Sequence, residues 1–212
     1  DKVTMIGSEA FSGCSLTSIT IPSSVTTIGN SPFSGCSSLT SIDVSPSNQN
    51  FVSVGGVLFT ASPKELIQYP AGRKETSYTV SGDTKTIKKN AFYGCSSLTS
   101  IKINEGVATI GDLAFSDCSS LASIKISDSV TSIGNGAFLR CSKLTSIKIP
   151  EDVTAIGYNT FNGCSSLTSI IIPNSVTTIG ESAFSYCSSL VSIAVPDSVT
   201  TIGNYAFDQC NK

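Results

Sequence analysis

A short word recurs along this chain and constrains its fold more than any other feature: Leu98-Thr-Ser-Ile101-Lys-Ile103, Leu121-Ala-Ser-Ile124-Lys-Ile126, Leu144-Thr-Ser-Ile147-Lys-Ile149 and Leu167-Thr-Ser-Ile170-Ile-Ile172. Each copy leads into a Val, an Ile-Gly, an Ala-Phe or Thr-Phe and a Cys, and the whole unit returns every 23 residues. Such self-similarity marks a stacked repeat, in which no unit buries its apolar side alone and each neighbour completes it. Function is then to be sought on a long surface rather than in a pocket.

The cysteines give the register. Cys95, Cys118, Cys141, Cys164, Cys187 and Cys210 lie 23 apart, whereas Cys14 and Cys36 lie 22 apart because one Ser is lost after Cys14. The interval from Cys36 to Cys95 is 59 residues, two repeats and 13 more, which predicts one degenerate repeat carrying an insertion. We expect a single domain over residues 1–212 with a hairpin-like insertion at about 47–74. The chain opens and closes inside a repeat, so it is expected to be a piece of a longer protein.

Residues 98–118 show how one coil is built. Leu98, Ile101 and Ile103 have the spacing of a short strand entered from a turn, with Ile101 and Ile103 inward and Lys102 toward water. Val107 and Ile110 return along the other side of the core. Ala114, Phe115 and Cys118 then follow at the three-to-four spacing of a short helical turn. Stacking at about 4.8 Å joins these side chains into one hydrophobic ribbon.

Composition supports a folded scaffold and excludes several classes. A hydrophobic fraction of 40% with 13% charged residues is not that of a disordered chain. A net charge of −2 lacks the basic footprint of a nucleic-acid binder. Apolar runs such as Ile170-Ile-Ile172 are far too short to span a bilayer.

The Leu98–Ile103 word and the I-G-x-x-A-F-x-x-C-S-S-L frame around it resemble the BspA-like branch of the leucine-rich repeats. Of the eight cysteine units, seven carry Ala-Phe or Thr-Phe and one carries Pro32-Phe33. The segments Asn50-Phe51, Gly55-Gly-Val-Leu-Phe59 and Glu65-Leu-Ile-Gln-Tyr-Pro70 look like the hairpin insertion that such proteins carry. The expected fold is an α/β repeat solenoid, a right-handed leucine-rich repeat of 23-residue coils. Short parallel strands would form its concave face and short helical turns its convex face. The resemblance implies a protein at the surface of a bacterium or microbial eukaryote, or secreted from it, and used in adhesion. The chain departs from the general leucine-rich pattern where an Asn column is expected, because Gly106, Ser129, Asp152, Ser175 and Ser198 stand there. Hydroxyls supply part of that backbone bonding, and Gly106 cannot.

Equal spacing gives every internal cysteine the same neighbours, with parallel Cβ vectors, so a buried column of free thiols is favoured over four disulfides. Without His or a C-x-x-C pair no metal site is indicated, and no cofactor is expected. The column Phe11, Phe33, Phe92, Phe115, Phe138, Phe161, Phe184 and Phe207 reads as a core spine of stacked rings.

Solvent-facing positions differ from coil to coil, and the candidate ligand-binding residues are found among them. Lys102, Lys125, Lys148 and Ile171 fall in one column between the strand isoleucines. That column is either a cationic strip for an anionic glycan or acidic protein patch, or it is compensated by Glu105, Asp128 and Glu151 three residues downstream. Phe51 and Tyr69, in the insertion, are the second candidate set, and the insertion either carries recognition or only covers a defect in the stack. Catalysis has no support: there is no His to serve a Ser or Cys, and a carboxylate pair such as Asp112 with Asp117 lacks a desolvated cleft. We expect a non-enzymatic module binding a protein or glycan, without nucleic acid, cofactor or membrane insertion. The alternative is a structural spacer or self-associating element.

Overall fold

The computed structural model describes residues 2–210; residues 1, 211 and 212 of the expected domain lie outside it. Its described residues form sixteen short strands and no helix. A regular coil contributes two extended segments, and from Ser146 onward only the second of them is a strand. The Ser-Ile-x-Ile segments pair in parallel one repeat apart, Ser18–Ile21 with Ser41–Val44 and Ser100–Ile103 with both Ser77–Val80 and Ser123–Lys125. Isolated bridges Ser123 to Ser146, Lys148 to Ile171 and Ile171 to Ala194 carry this face onward. The Thr-Ile segments form a second parallel row, such as Thr86–Ile87, Thr109–Ile110 and Ser132–Ile133. A further run joins Ala155–Ile156, Thr178–Ile179 and Thr201–Ile202. Strict alternation explains the burial: Ile101 and Ile103 are buried while Lys102 is exposed.

The expected helical turns do not form, and the backbone shows why. Leu113 and Asp117 have left-handed φ values of 53° and 58°, and the equivalent positions of the other coils are left-handed too, for example Asn159 at 55° and Gly163 at 74°. This reversal turns alternate amides outward to the next coil: the N–H groups of Leu113, Phe115 and Asp117 donate to Asn135, Ala137 and Leu139 at 2.8 Å. The amides between them close tight turns within the coil, Ser116 to Leu113 and Cys118 to Phe115. A helix would have kept all of these bonds inside one coil. The segment is instead a ribbon of turns hydrogen-bonded along the stack.

The side chains of the spine follow. Rings from Phe92 to Phe207 stack at 5.0–5.4 Å, with Phe138 and Phe161 only 2° from parallel. All eight cysteines are free. They do more than fill space: the Cys118, Cys141, Cys164 and Cys187 thiols donate to the carbonyls of Phe92, Phe115, Phe138 and Phe161 in the preceding coil at 3.1–3.2 Å. The Asn column is replaced by hydroxyls, Ser129, Ser175 and Ser198 each donating to a Val carbonyl of the coil before. Gly106 contributes no side chain, and its N–H donates to Ser129 Oγ at 3.1 Å.

One expected feature is corrected. The interior is not one continuous ribbon but two clusters, the first from Ile6 to Ile42 and the second from Val80 to Ala206, with the insertion between them. Strands Phe51–Val54, Val57–Thr60 and Glu65–Gln68 form an antiparallel sheet standing as a wall. Leu58 and Ile67 face the first cluster, while Val57, Phe59, Leu66 and Tyr69 face the second. Successive side chains of a strand point to opposite faces, so one thin sheet closes both cores.

Candidate functional site

The exposed column of the strand face reads Thr79, Lys102, Lys125, Lys148, Ile171 and Ala194. Backbone register fixes its spacing, because Lys102 pairs directly with Thr79 and Lys125, and Ile171 bridges Lys148 and Ala194. The three lysines are unequal. Lys148 Nζ lies 2.8 Å from Asp128 Oδ1 of the preceding coil, and that hydrogen bond holds its ammonium above the usual lysine range. Among the described residues, Lys102 and Lys125 make no such pair. Compensation by the acidic column is therefore real at Lys148 and incomplete beside it.

Lys125 and Lys148 also flank a shallow groove of about 330 Å³ whose rim includes Glu105, Ser127 and Asp128 and whose floor is Ile124 and Ile126. Its chemistry is mixed: an unpaired ammonium, an ion pair and a strip of apolar floor. Ile171, two coils past Lys125, is 81% exposed. It follows Lys148 in the same column, so the exposed strip passes from ammonium groups to an aliphatic side chain.

The other two candidates do not reach this surface. Phe51 is buried in the first core cluster, where its N–H is held by Asn48 Oδ1. Tyr69 is 2% exposed and stands where a regular coil has its phenylalanine. Its ring stacks on Phe92 at 5.2 Å, its N–H donates to Ala91 as Phe115 does to Ala137, and Leu66 pairs with Ile87. Lys64 to Gly72 is thus a disguised half-coil, and burial removes Phe51 and Tyr69 from the exposed surface. The large apolar side chains that the insertion exposes are Val52 and Val54. Their alternation with Phe51 was the signal in the sequence that distinguished outward from inward positions.

Arg73 closes the insertion. Its guanidinium lies over the Tyr69 ring at 5.3 Å, donates to the Gly55 carbonyl and grips Glu75 at 2.7 Å, which lowers the Glu75 carboxyl to about 2. These contacts staple the hairpin to the coil that follows. Among the described residues no group of acidic, cysteine or histidine side chains is placed to hold a metal ion.

The model of the BspA type leucine rich repeat region matches residues 1–79 and 85–212 in six copies. No curated protein matches in sequence. A leucine rich cell surface protein from Faecalibacterium prausnitzii superposes with a TM-score of 0.86 at 38% identity, over 90% of this chain and 51% of that one. A leucine-rich repeat protein from Eubacterium ventriosum gives 0.80 at 27% identity, over 99% of this chain and 63% of that one. The pneumococcal vaccine antigen PcpA gives 0.69 at 27% identity, over 97% and 47%. The chain thus spans about half to two thirds of the length of these proteins.

Proposed function

Because the chain belongs to the BspA type leucine rich repeat family, we propose that it is a binding module of a cell-surface or secreted protein, adhering to a host or neighbouring-cell partner through the strand face. The partner is an acidic protein patch or an anionic glycan. The observation that carries this reading is the in-register pair Lys102 and Lys125, left without acidic partners beside a lysine that has one. Like charges held about 5 Å apart on one strand face repel, and a column selected only for stability would have neutralised them as it does Lys148. A partner carboxylate or sulfate would relieve that repulsion, and Ile171 would add an apolar contact at the edge of the footprint. The relative named a cell surface protein supports the location.

The test is a surface-plasmon screen of the protein against extracellular-matrix proteins and sulfated or carboxylated glycans. The double reversal Lys102→Glu with Lys125→Glu is expected to weaken the captured ligand at least about tenfold and to flatten its salt dependence, since interaction between exposed charges is screened by salt. Undiminished binding by the reversed protein would reject the strip as the site. Concentration-dependent chains in light scattering, with no ligand captured, would favour a self-associating spacer instead.

A further inference from the structure

The turn face carries a feature that the strand face does not explain. Leu113 and Leu139 are the only aliphatic residues in their repeat columns, and Tyr158 is the only aromatic residue in its own. These three departures come from three successive coils, yet they line one recess of about 170 Å³. Gly136 makes the space. It is the only glycine in the column of Leu113, has a φ of 60°, and a Cβ there would lie 2.7 Å from Leu113 Cδ2. Random drift in a repeat would scatter its irregularities rather than gather four of them at one spot.

The rim is polar and held in place. Asp112 Oδ1 accepts from the Asn135 N–H at 2.8 Å, and Asn135 Oδ1 accepts from the Tyr158 N–H at 2.8 Å. Both side chains are thereby oriented by backbone, with Asp112 Oδ2 and Asn135 Nδ2 left for another partner, and Lys89 lines the same recess. Tyr158 is 52% exposed and offers a ring beside them.

We propose that this recess binds one pyranose ring of a neutral glycan, as a second site separate from the strand-face strip and independent of it. An inserted aliphatic side chain would cover Leu113 and Leu139 but would desolvate the Asp112 carboxylate and the Asn135 amide without replacing their hydrogen bonds, which is costly. A sugar ring has one apolar C–H face and a rim of hydroxyls. The face lies against Tyr158 and the leucines, and the hydroxyls donate to Asp112 and accept from Asn135 and Lys89. An apolar surface with a few oriented polar groups is the general form of a small-ligand site.

The experiment is saturation-transfer difference NMR of the protein with glucose, galactose, mannose, N-acetylglucosamine and N-acetylgalactosamine, followed by titration of the strongest. Two variants probe the recess. Gly136→Asn fills it with a residue that Asn90 and Asn159 show to be accommodated at that φ, and Tyr158→Ala removes an exposed ring. Transfer to ring protons of at least one sugar, with affinity lowered about tenfold or more in both variants and unchanged in Lys102→Glu/Lys125→Glu, is the expected result. No transfer to any of the five sugars at millimolar concentration, or binding that survives both variants, would overturn the proposal.

Discussion

Phe138 shows what one residue does in a stack. It is fully buried and lies 5.4 Å from the rings of Phe115 and Phe161, so its removal opens a cavity facing two coils at once. Phe138→Ala should cost about 3–5 kcal/mol by urea unfolding. A loss below about 1 kcal/mol would show that the neighbouring rings close the gap unaided. The cysteines act at the same scale through their protons. Burial raises the thiols of Cys95, Cys141 and Cys164, and that of Cys187 to about 12, above the ordinary 9.0. The folded chain therefore keeps these protons to higher pH than the unfolded chain. Their contribution is complete below about pH 8.5–9 and is lost as pH rises through the folded values, that of Cys187 being about 12. Stability measured from pH 7 to 11 should fall above about pH 9, by up to roughly 1.4 kcal/mol per pH unit for each such thiol. Replacing Cys141 and Cys164 by Ala should lower stability at pH 7 and flatten the alkaline slope. An unchanged slope would mean that the thiols do not carry the dependence.

At the scale of the element, the sequence made the strands legible and hid the turns. Alternation in Ser100-Ile-Lys-Ile103 shows which side chains are buried, because a pleat admits only one assignment. The spacing of Ala114, Phe115 and Cys118 suits a helical turn equally well, since periodicity records which residues face inward and not the sign of φ. The glycines at Gly13, Gly35, Gly94 and Gly163, each just before a cysteine, were the available sign of a left-handed residue. Elsewhere that position holds Asp117, Arg140, Tyr186 and Gln209 at φ values of 56–58°, which a side chain makes unfavourable. Tyr186 is exposed, so its ring gives little in return. Tyr186→Gly should stabilise the protein by about 0.5–1 kcal/mol and Tyr186→Val should destabilise it, as thermal melts would show. A destabilising glycine would mean that the tyrosine ring makes a contact worth more than the strain.

At the scale of the whole molecule, the period of 23 foretold stacked coils, and the irregular interval holds the antiparallel strands Phe51–Val54, Val57–Thr60 and Glu65–Gln68. The sequence leaves open whether that insertion recognises a ligand or covers the stack, because Glu65-Leu-Ile-Gln-Tyr69 keeps the inward pattern of a coil while losing its words. Tyr69, a candidate binding residue by its place in the insertion, is the spine's first ring on the second core. The candidate strip was legible as a column, and its uneven pairing was not, since the Lys148–Asp128 contact joins residues 20 apart. The wall also places polar groups where apolar ones would hold the halves together. Asn90 Nδ2 reaches Ser31 Oγ across it at 2.9 Å, while Gln68 Oε1 and Asn90 Oδ1 are buried without partners. Buried unpaired oxygens weaken an interface, so the first core should open more easily than the second.

Native-state hydrogen exchange by mass spectrometry tests this account most directly. Amides of the inter-coil bonds at Phe92, Phe115, Phe138 and Phe161 should exchange together through the largest opening, and residues 5–44 through a separate, less costly one. Leu121→Ala should speed exchange in the first set and leave the second unchanged. Equal acceleration along the entire chain, or coil-by-coil exchange with no shared opening, would contradict an interior built as two stacked cores on either side of one wall.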